Sequence, residues 1–393
     1  MKVPQIFDRN MKRLAFLDNA VSVGYSLEIN SLWTATFTLP ADDDKNAYCQ
    51  PLNFVEIFDG DERIDLFRII GEDLERSNGA TRFYDCEHVL ATLLSDVLFQ
   101  YHQYGGGGIK TADVLNYVLA RQTTRNWVLG DCDFKRYFEY NWENSTLLAA
   151  LFAVPECFDS EYMWTWDTTV YPWTISLVAP SDTMKSEVRY AKNMTSMKKT
   201  VDASGIANRI YALGYGEGVN QLTIAGVNGG KPYVEDAMSI QQYGLCSTIL
   251  VDSRYEVAEN LKGYAEQMLA ELKNPYVSYE IGAIDLHRLT GDTFSKFRPG
   301  EIVRVVDEAD GINLRTRIVS VEKSDAQGDP GSVTVTIANK SKDIAGSISE
   351  LQNRALINET YAQGATNQQI YNFTDNADAT HPATLKLYIS DSV

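Results

Sequence analysis

One pattern of apolar and polar residues occurs twice in this chain, in two widely separated segments. The first copy covers residues 55–59 and 66–70, and the second covers residues 303–307 and 314–319. Each copy reads as a strand, an acidic turn and a second strand. In each copy an Asp ends the first strand and an Arg precedes the last apolar pair. Asp59 and Arg68 are nine residues apart in the first copy, and Asp307 and Arg317 are ten residues apart in the second. Because such alternation buries one face of a hairpin, the repeat predicts two similar β-rich domains.

Between the two copies, the spacing of apolar residues predicts several further elements. Helical spacing predicts helices over 111–119, with Thr111 as the N-cap, and over 144–152. Two aromatic-rich strands are expected to follow, over 162–167 and 171–178. Helices and strands mixed in this way favour a small α+β domain inserted between the two β-rich domains.

A third helix is predicted by a capping box and an apolar stripe. Ser253 and Glu256 have the capping-box spacing, and Pro275 follows the end of the pattern. The stripe consists of Leu261, Tyr264, Met268 and Leu272. Residues at this spacing pack into a core, so we expect this helix to interrupt the second β-rich domain.

These elements divide the chain into successive domains. We expect a first β-barrel-like domain over 1–103, an α+β insert over 104–188, a second β-barrel-like domain over 189–250 and 279–342, a helical insert over 251–278, and a C-terminal helix with an extended oligomerisation tail over 343–393. The tail is poor in apolar residues and could lead into a further domain. The predicted fold class is therefore α+β, mainly β, with two β-barrel-like domains and two smaller α/β inserts.

The charge balance narrows the functional classes. The 393 residues carry a formal net charge of −18 and are 44% hydrophobic, which is typical of an acidic globular protein. A specific nucleic-acid reader presents a basic face to phosphates, so this class is disfavoured. No apolar run approaches the ~20 residues that span a bilayer. The N-terminal segment also lacks the apolar region of a signal peptide, so we expect the chain to fold in a cytoplasm.

Candidate catalytic groups do not form a recognisable constellation. The sequence has neither an H-E-x-x-H helix nor a G-x-S-x-G elbow, and its histidines are widely separated. Cys86 and His88 would share a face of a strand, but no third group is evident to orient them. We therefore assign no catalytic residue, no cofactor-binding residue and no metal ligand, and we predict no enzyme activity and no cofactor.

Several other features are typical of ordinary surface or core. Trp164, Trp166 and Trp173 could stack on sugar rings, although alternation along a hairpin more often indicates packing. Carbohydrate binding stays open as a minority interpretation. The remaining features are the acidic pairs Glu56/Asp59 and Asp252/Glu256, the acidic loop 42–44, the glycines 105–108, and the scattered cysteines Cys49, Cys86, Cys132, Cys157 and Cys246.

Three runs between Met194 and Tyr233 carry a resemblance to a known family. They are MKKTVD at 197–202, NRIYALG at 208–214 and LTIAGVNGGKPY at 222–233. Together with the hairpin entry PGEIV at 299–303, they resemble the prophage tail protein family of siphophages that infect Gram-positive bacteria. Members are called tail-associated lysins or baseplate hubs, and in places tail endopeptidases. The resemblance covers most of the chain and is most specific over 190–345.

The resemblance implies a fold similar to contractile-tail hub proteins and a homotrimer. Three subunits would place six barrels in a ring that matches a hexameric tail tube. The implied partners are the distal tail protein ring, the tape-measure protein, other tail-tip proteins and passing phage DNA that is not specifically recognised. Stable membrane insertion is not implied, and the expected location is the virion tail tip after assembly in the host bacterial cytoplasm.

Two functional hypotheses follow. The first is a structural hub at the tail tip of a phage or prophage, a trimeric ring that closes the tail tube and forms the conduit for DNA ejection. The alternative is a tail protein that acts on the cell envelope, either as a peptidoglycan endopeptidase or as a glycan- or receptor-binding module.

Overall fold

The computed structural model of the protein describes residues 2–76, 79–291, 296–309 and 311–338. The predicted C-terminal helix and oligomerisation tail over 343–393 lie outside the described residues. The described part is an α+β structure in which strands predominate. One large sheet contains two β-units, and smaller sheets with helices pack beside it.

The first β-unit consists of the first seven strands of the chain. They are β1 (Gln5–Phe7), β2 (Arg13–Phe16), β3 (Ser22–Glu28), β4 (Thr34–Pro40), β5 (Phe54–Asp59), β6 (Glu62–Glu75) and β7 (Thr81–His88), with 3-10 turns at Asp44–Tyr48 and Val89–Leu94. Their order in the sheet is β3-β4-β7-β6-β5-β1-β2. Alternate residues such as Phe37, Phe67 and Tyr84 are fully buried in its core, which accounts for the period-two pattern of the sequence.

The aromatic insert follows the first β-unit. Its elements are β8 (Val97–Gly105), α1 (Thr111–Leu119), β9 (Trp127–Cys132), β10 (Glu139–Thr146), α2 (Leu147–Phe152), a 3-10 turn at Pro155–Cys157, β11 (Met163–Asp167) and β12 (Trp173–Val178). β8 pairs with β10, and β11, β12 and β9 form a second small sheet. Trp127 and Trp173 are buried in the core of this insert, with their ring centroids 5.3 Å apart.

The rest of the described chain contains two interleaved groups of elements. In chain order they are β13 (Met184–Arg189), β14 (Met194–Asp202), β15 (Arg209–Leu213), 3-10 turns at Gly218–Asn220 and Ala225–Val227, β16 (Tyr233–Glu235), α3 (Ala237–Tyr243), β17 (Ser247–Val251), α4 (Ala258–Leu272), β18 (Tyr276–Ile284), α5 (Leu286–Thr290), β19 (Ile302–Asp307), β20 (Ile312–Lys323) and β21 (Ser332–Ala338). β16, β15 and β17 form a separate sheet that packs on α4, and with α3 they make up the α/β insert. The other six strands form the second β-unit.

The two β-units have the same strand order. The first is β3-β4-β7-β6-β5-β1 and the second is β14-β18-β21-β20-β19-β13. A β-bulge interrupts both long strands at the same place, between Ile69 and Gly71 in β6 and between Ile318 and Ser320 in β20. β5 and β19 also have the same sequence of buried and half-buried residues. One difference is that β1 is antiparallel to β5, whereas β13 is parallel to β19.

The two β-units are joined edge to edge in one sheet. The end of β20, Ser320 to Lys323, pairs antiparallel with β3, from Glu28 to Tyr25. Over the described ranges of the chain, the strand pairings do not close either unit into a barrel. Within the same ranges, no helix has both the length and the apolar character required to span a membrane.

Helix starts in the aromatic insert differ from the prediction. Thr111 is the first residue of α1 and not its N-cap, because Asp113 accepts the N–H of Lys110 at 3.2 Å and makes Lys110 the cap. The predicted helix over 144–152 begins later, because its first residues belong to β10, and Thr146 caps α2.

The α/β insert also differs from the prediction. The sequence predicts that residues 189–250 belong to the second β-barrel-like domain, but β15, β16 and β17 form their own sheet beside α4. α4 begins at Ala258, so Ser253 and Glu256 do not form a capping box. The residue between them explains the shift, since Arg254 donates to Asp252 at 2.8 and 2.7 Å and holds this segment in a turn.

Candidate functional site

A cleft with a volume of about 400 Å³ lies where the first β-unit, the second β-unit and the aromatic insert meet. The hairpin of β5 and β6 forms one wall, the end of β11 a second wall, and the segment before β19 a third. Its lining includes the aromatic residues Trp33 and Trp166 and the charged residues Asp59, Glu62, Arg63, Asp65, Asp285, Lys296 and Arg298.

Asp65 is the centre of the hydrogen bonds between the first β-unit and the aromatic insert. Its carboxylate accepts from the indole N–H of Trp166 at 3.1 Å and from the hydroxyl of Thr168. It also accepts from the backbone N–H of Leu66 at 2.8 Å. His88 Nε2 lies 3.4 Å from the same carboxylate, and Arg63 lies 3.3 Å from it. Burial by itself raises the pKa of Asp65, but His88, Thr168 and Arg63 together hold that pKa below its ordinary value.

Glu62 lines the cleft and ties the same hairpin to the segment that precedes β19. Lys296 Nζ lies 2.6 Å from Glu62 Oε2, and Arg298 Nη2 donates to Glu62 Oε1 at 2.8 Å. Burial raises the pKa of Glu62, yet the two cations bring it below the ordinary value. These side chains are partly exposed, so solvent weakens the contribution of the contact to stability.

Lys323 forms a buried ion cluster with Asp59 and Asp285, which both line the cleft. Its ammonium donates to Asp59 at 2.6 Å, to Asp285 at 2.8 Å and to the carbonyl of Pro330 at 3.0 Å, and the side chain is 2% exposed. The hydroxyl of Tyr25 also donates to Asp59 at 3.0 Å. Burial and then the charge of Asp59 raise the pKa of Tyr25 well above its ordinary value, so this phenol stays a donor.

The chemistry of the cleft is that of a clamp between parts of the fold. Asp59, Glu62 and Asp65 each accept from side chains on other parts of the chain. A general base needs a lone pair directed at a substrate, and these carboxylates direct theirs at donors of the protein itself. Among the described residues, no group of three or more His, Cys, Asp or Glu side chains could hold a metal ion.

Two of the three tryptophans that could stack on sugar rings belong to the core, as the alternation of the strands indicates. Trp164 is 4% exposed and Trp173 is 1% exposed, so neither face is open to a ligand. Trp166 is half-buried and lines the cleft, where Trp33 packs against it edge to face at 4.7 Å.

Cys86 and His88 are both buried and do not form a nucleophile–base pair. Burial raises the pKa of the Cys86 thiol well above its ordinary value, which opposes formation of the thiolate. His88 Nδ1 accepts the backbone N–H of Leu90 at 3.1 Å, and its other ring nitrogen faces Asp65. The histidine therefore positions the backbone of Leu90 and the carboxylate of Asp65 inside the fold.

Three of the four carboxylates in the acidic pairs have structural partners. Glu56 pairs with Arg63, while Asp59 belongs to the Lys323 cluster, and the two carboxylates thus serve different contacts. Asp252 is buried against Arg254, whereas Glu256 is exposed. In the acidic loop, Asp43 accepts the backbone N–H of Lys45 at 2.8 Å and caps a 3-10 turn.

The four glycines at 105–108 form the turn between β8 and α1. All four have positive φ, and a Cβ at Gly105 would lie 2.3 Å from the carbonyl oxygen of Phe138. Glycine is required here by backbone conformation and by the close approach of another strand.

Sequence reasoning missed the most connected residues, Asp65 and Lys323. One signal could have identified Asp65, because aligning the two hairpins by strand register puts Leu314 at the equivalent position. Asp65 is a carboxylate where the second copy has a leucine. Such a difference indicates that this position makes a polar contact in the first unit only. Lys323 lies 264 residues from Asp59, and no local pattern connects them.

Two family models match the chain. The model described as prophage endopeptidase tail matches residues 181–348, and the model described as prophage endopeptidase tail domain matches residues 106–172. Together they cover more than half of the sequence. No curated protein sequence matches the chain.

Solved structures of three tail proteins have a similar fold. Prophage tail protein gp18 from Listeria monocytogenes EGD-e has a TM-score of 0.59 at 15% identity and covers 90% of this chain and 99% of its own. The tail protein from Neisseria meningitidis MC58 has a TM-score of 0.61 at 11% identity, with 86% and 96% covered. The 43 kDa tail protein of prophage MuSo2 from Shewanella oneidensis has a TM-score of 0.58 at 14% identity, with 87% and 98% covered. At these identities the likeness concerns the fold alone.

Proposed function

The chain belongs to the prophage endopeptidase tail family, and from this premise we propose that it is a structural hub at the tip of a phage tail. In this role three copies form a ring that closes the tail tube and becomes the conduit for DNA at ejection. The distal tail protein ring, the tape-measure protein and other tail-tip proteins are its proposed neighbours.

The observation that carries the proposal is the repeated β-unit. Two units with the same strand order and the same bulge are joined edge to edge within one chain. A trimer of such chains presents six similar units, so a threefold ring can contact a hexameric tube at six similar places. A chain with one such unit could offer only three.

The net charge is consistent with a conduit that does not bind DNA. The chain carries a formal charge of −18, and phosphates are repelled by a surface of the same sign. A passage for DNA has to avoid lasting contacts with the backbone of the nucleic acid. Acidic residues facing the lumen of the ring would provide this property.

We propose that the described part of the chain acts without catalysis, despite the family description. Cys86, His88 and Asp65 are all buried, and His88 and Asp65 accept hydrogen bonds from within the fold. Hydrolysis of a peptide or a glycan requires an accessible nucleophile or a pair of carboxyl groups around a substrate.

The experiment that tests the hub is absolute mass by light scattering over a concentration series. We expect a stable species at three times the chain mass of 44.0 kDa. A monomer at every concentration, or a closed dimer, would overturn the trimeric ring.

One observation favours the alternative of an envelope-binding module. Trp33 and Trp166 line the cleft together with Arg63, and aromatic faces beside charged groups are typical of glycan sites. A glycan-binding screen and a peptidoglycan digestion assay test this alternative. Binding that is lost in Trp166→Ala and kept in Tyr137→Ala, which changes an exposed aromatic elsewhere, would support it; equal results would reject it.

A further inference from the structure

The two β-units are joined by the pairing of β3 with β20, which is called the joint below. This joint is a template for a second pairing of the same kind, between two copies of the chain. In the joint, Ser26 of β3 lies opposite Glu322 of β20, and the pairing is antiparallel. The N–H of Ile29 donates to the carbonyl of Val319 at 2.9 Å, so hydrogen-bonded pairs alternate from that point. Ser26 and Glu322 therefore form a non-hydrogen-bonded pair, in which the two Cα atoms are closest.

Strand register identifies the equivalent residues of the other two strands. The shared bulge makes Gly71 of β6 equivalent to Ser320 of β20, so Asp73 is equivalent to Glu322. The same bulge makes Glu72 equivalent to Val321, so their partners across the sheet, Tyr84 and Val335, are equivalent as well. The next partners, Phe37 and Ile281, are then equivalent too. Val23 pairs with Phe37 and Met197 pairs with Ile281, which makes Val23 and Met197 equivalent. Counting three residues from each places Thr200 of β14 at the position of Ser26.

Both equivalent strands have an edge that no described strand covers. Over residues 72–74, β6 pairs with β7 on one side, and over residues 199–201, β14 pairs with β18 on one side. Leu74 is 42% exposed and Val201 is 56% exposed. Val201 is equivalent to Leu27, which the existing joint leaves 8% exposed. An open edge with exposed apolar side chains is a site for pairing with another strand.

The two open edges also carry opposite charges. β6 presents Glu72 and Asp73, and β14 presents Lys198 and Lys199. In the register of the template, Lys199 is diagonal to Glu72 and Lys198 is diagonal to Asp73, which is within reach of long side chains. Within the chain, Glu72 already pairs with Arg82 and Lys198 lies 3.7 Å from Glu280, so the new contacts would extend existing ion pairs across the edge.

We propose that β6 of one copy pairs antiparallel with β14 of the next copy, with Asp73 opposite Thr200. The occupant of each open edge is thus a second copy of this chain. Each copy donates one edge and receives the other, so the contact is head to tail and generates a ring when it closes. The inference rests on the proposed function for the number of copies, whereas the register rests on the joint within the chain.

Cysteine cross-linking tests the register. The variant Asp73→Cys/Thr200→Cys is prepared with Cys132→Ser and Cys246→Ser, which remove the half-buried native thiols. A non-hydrogen-bonded pair has a Cα separation of ~4.5 Å, within the range of a disulfide. The matched control is Asp73→Cys/Ser196→Cys, on the same strands but about 14 Å out of register. Mild oxidation should give intermolecular cross-links in the first variant and few in the control.

The outcomes separate the pairing from the hub. A cross-linked ladder that ends at three chains supports both. A trimer by light scattering with no in-register cross-link, with equal cross-linking in the control, or with a disulfide inside one chain overturns the pairing and leaves the hub intact. In-register cross-links that close at two chains or continue into long polymers support the pairing and overturn the trimeric ring.

Charge reversal provides a second test that does not depend on a disulfide. Lys198→Glu/Lys199→Glu and Glu72→Lys/Asp73→Lys should each weaken self-association at least tenfold. The chain that carries all four changes should recover it, because the charges are again complementary. Lys135→Glu changes an exposed lysine of the aromatic insert and should have no effect. Association unchanged by the double variants, or not recovered by the fourfold variant, would overturn the pairing.

Discussion

The two β-units have the same strand order but differ in what covers them. β3 lies between β4 and β20, and most of its residues are buried. Its equivalent β14 pairs with β18 alone among the described strands, and most of its residues are exposed. At matching positions, Tyr25 lies in the buried cluster of Lys323 while Lys199 lies in solvent. The two strands therefore differ because β20 covers β3 whereas no described strand covers the matching edge of β14. The shared strand order does not account for this difference.

The hairpins differ for a similar reason. Asp65 faces the aromatic insert and accepts its hydrogen bonds, whereas Leu314 at the matching position packs against the core of the second unit. A carboxylate at this depth is tolerated because donors surround it. The comparison indicates that Asp65 of the first unit binds the aromatic insert, whereas Leu314 serves only the packing of the second unit.

The largest effect is expected from Lys323→Ala, which removes the cation from the joint. Asp59 and Asp285 would then lie together in a buried site without the ammonium between them. Breaking a buried ion pair in this way costs about 3–5 kcal/mol, measured as the free energy of unfolding in urea. Lys135→Ala is the control, and a loss below ~1 kcal/mol for Lys323→Ala would contradict the role of the cluster.

The next largest effect is expected from Asp65→Leu, which gives the first hairpin the residue of the second. The donors of Trp166, Thr168 and Arg63 would lose their acceptor inside the fold. We expect a loss of about 2–3 kcal/mol in the free energy of unfolding and a change in tryptophan fluorescence. Asp42→Leu removes an exposed carboxylate and serves as the control; an equal effect in both variants would exclude a specific role for Asp65.

The repeated hairpin could be predicted from the sequence because it is local. Strand, turn and strand lie within about twenty residues, and the buried positions of β5 and β19 match one another. The joint could not be predicted, since Ser26 and Glu322 are far apart in the chain and pair through edges that carry no local signal. The capping box failed because Arg254 binds Asp252, a contact that competes with helix capping.

The site was harder to predict than the fold. Trp164 and Trp173 have the alternation expected of strands, but alternation does not say which face is covered by a helix or a neighbouring sheet. Isolated charges such as Asp65 and Lys323 have no periodic pattern at all. Their partners come from distant segments, and only the folded chain brings them together.

A smaller effect is expected from Tyr25→Phe, which sharpens the contrast with Lys199. The change removes the hydroxyl that donates to Asp59 and keeps the packing of the ring. The ammonium of Lys323 still serves that carboxylate, so we expect a loss of about 1.5 kcal/mol in the free energy of unfolding. The exposed Tyr101→Phe is the control. A loss as large as that of Lys323→Ala would mean that the phenol contributes as much to the joint as the lysine does.

The smallest effect is a pH dependence that only the first hairpin should have. His88, Thr168 and Arg63 hold the pKa of Asp65 below its ordinary value against the effect of burial, so the folded state binds this proton less readily than the unfolded chain. The contribution of Asp65 is therefore complete above the ordinary aspartate pKa near 3.9 and is lost as the pH falls through the lower folded value. The gap in unfolding free energy between the wild type and Asp65→Asn should be wider at pH 7 than at pH 3. An equal gap at both pH values would show that the charge of Asp65 does not hold the insert to the first β-unit.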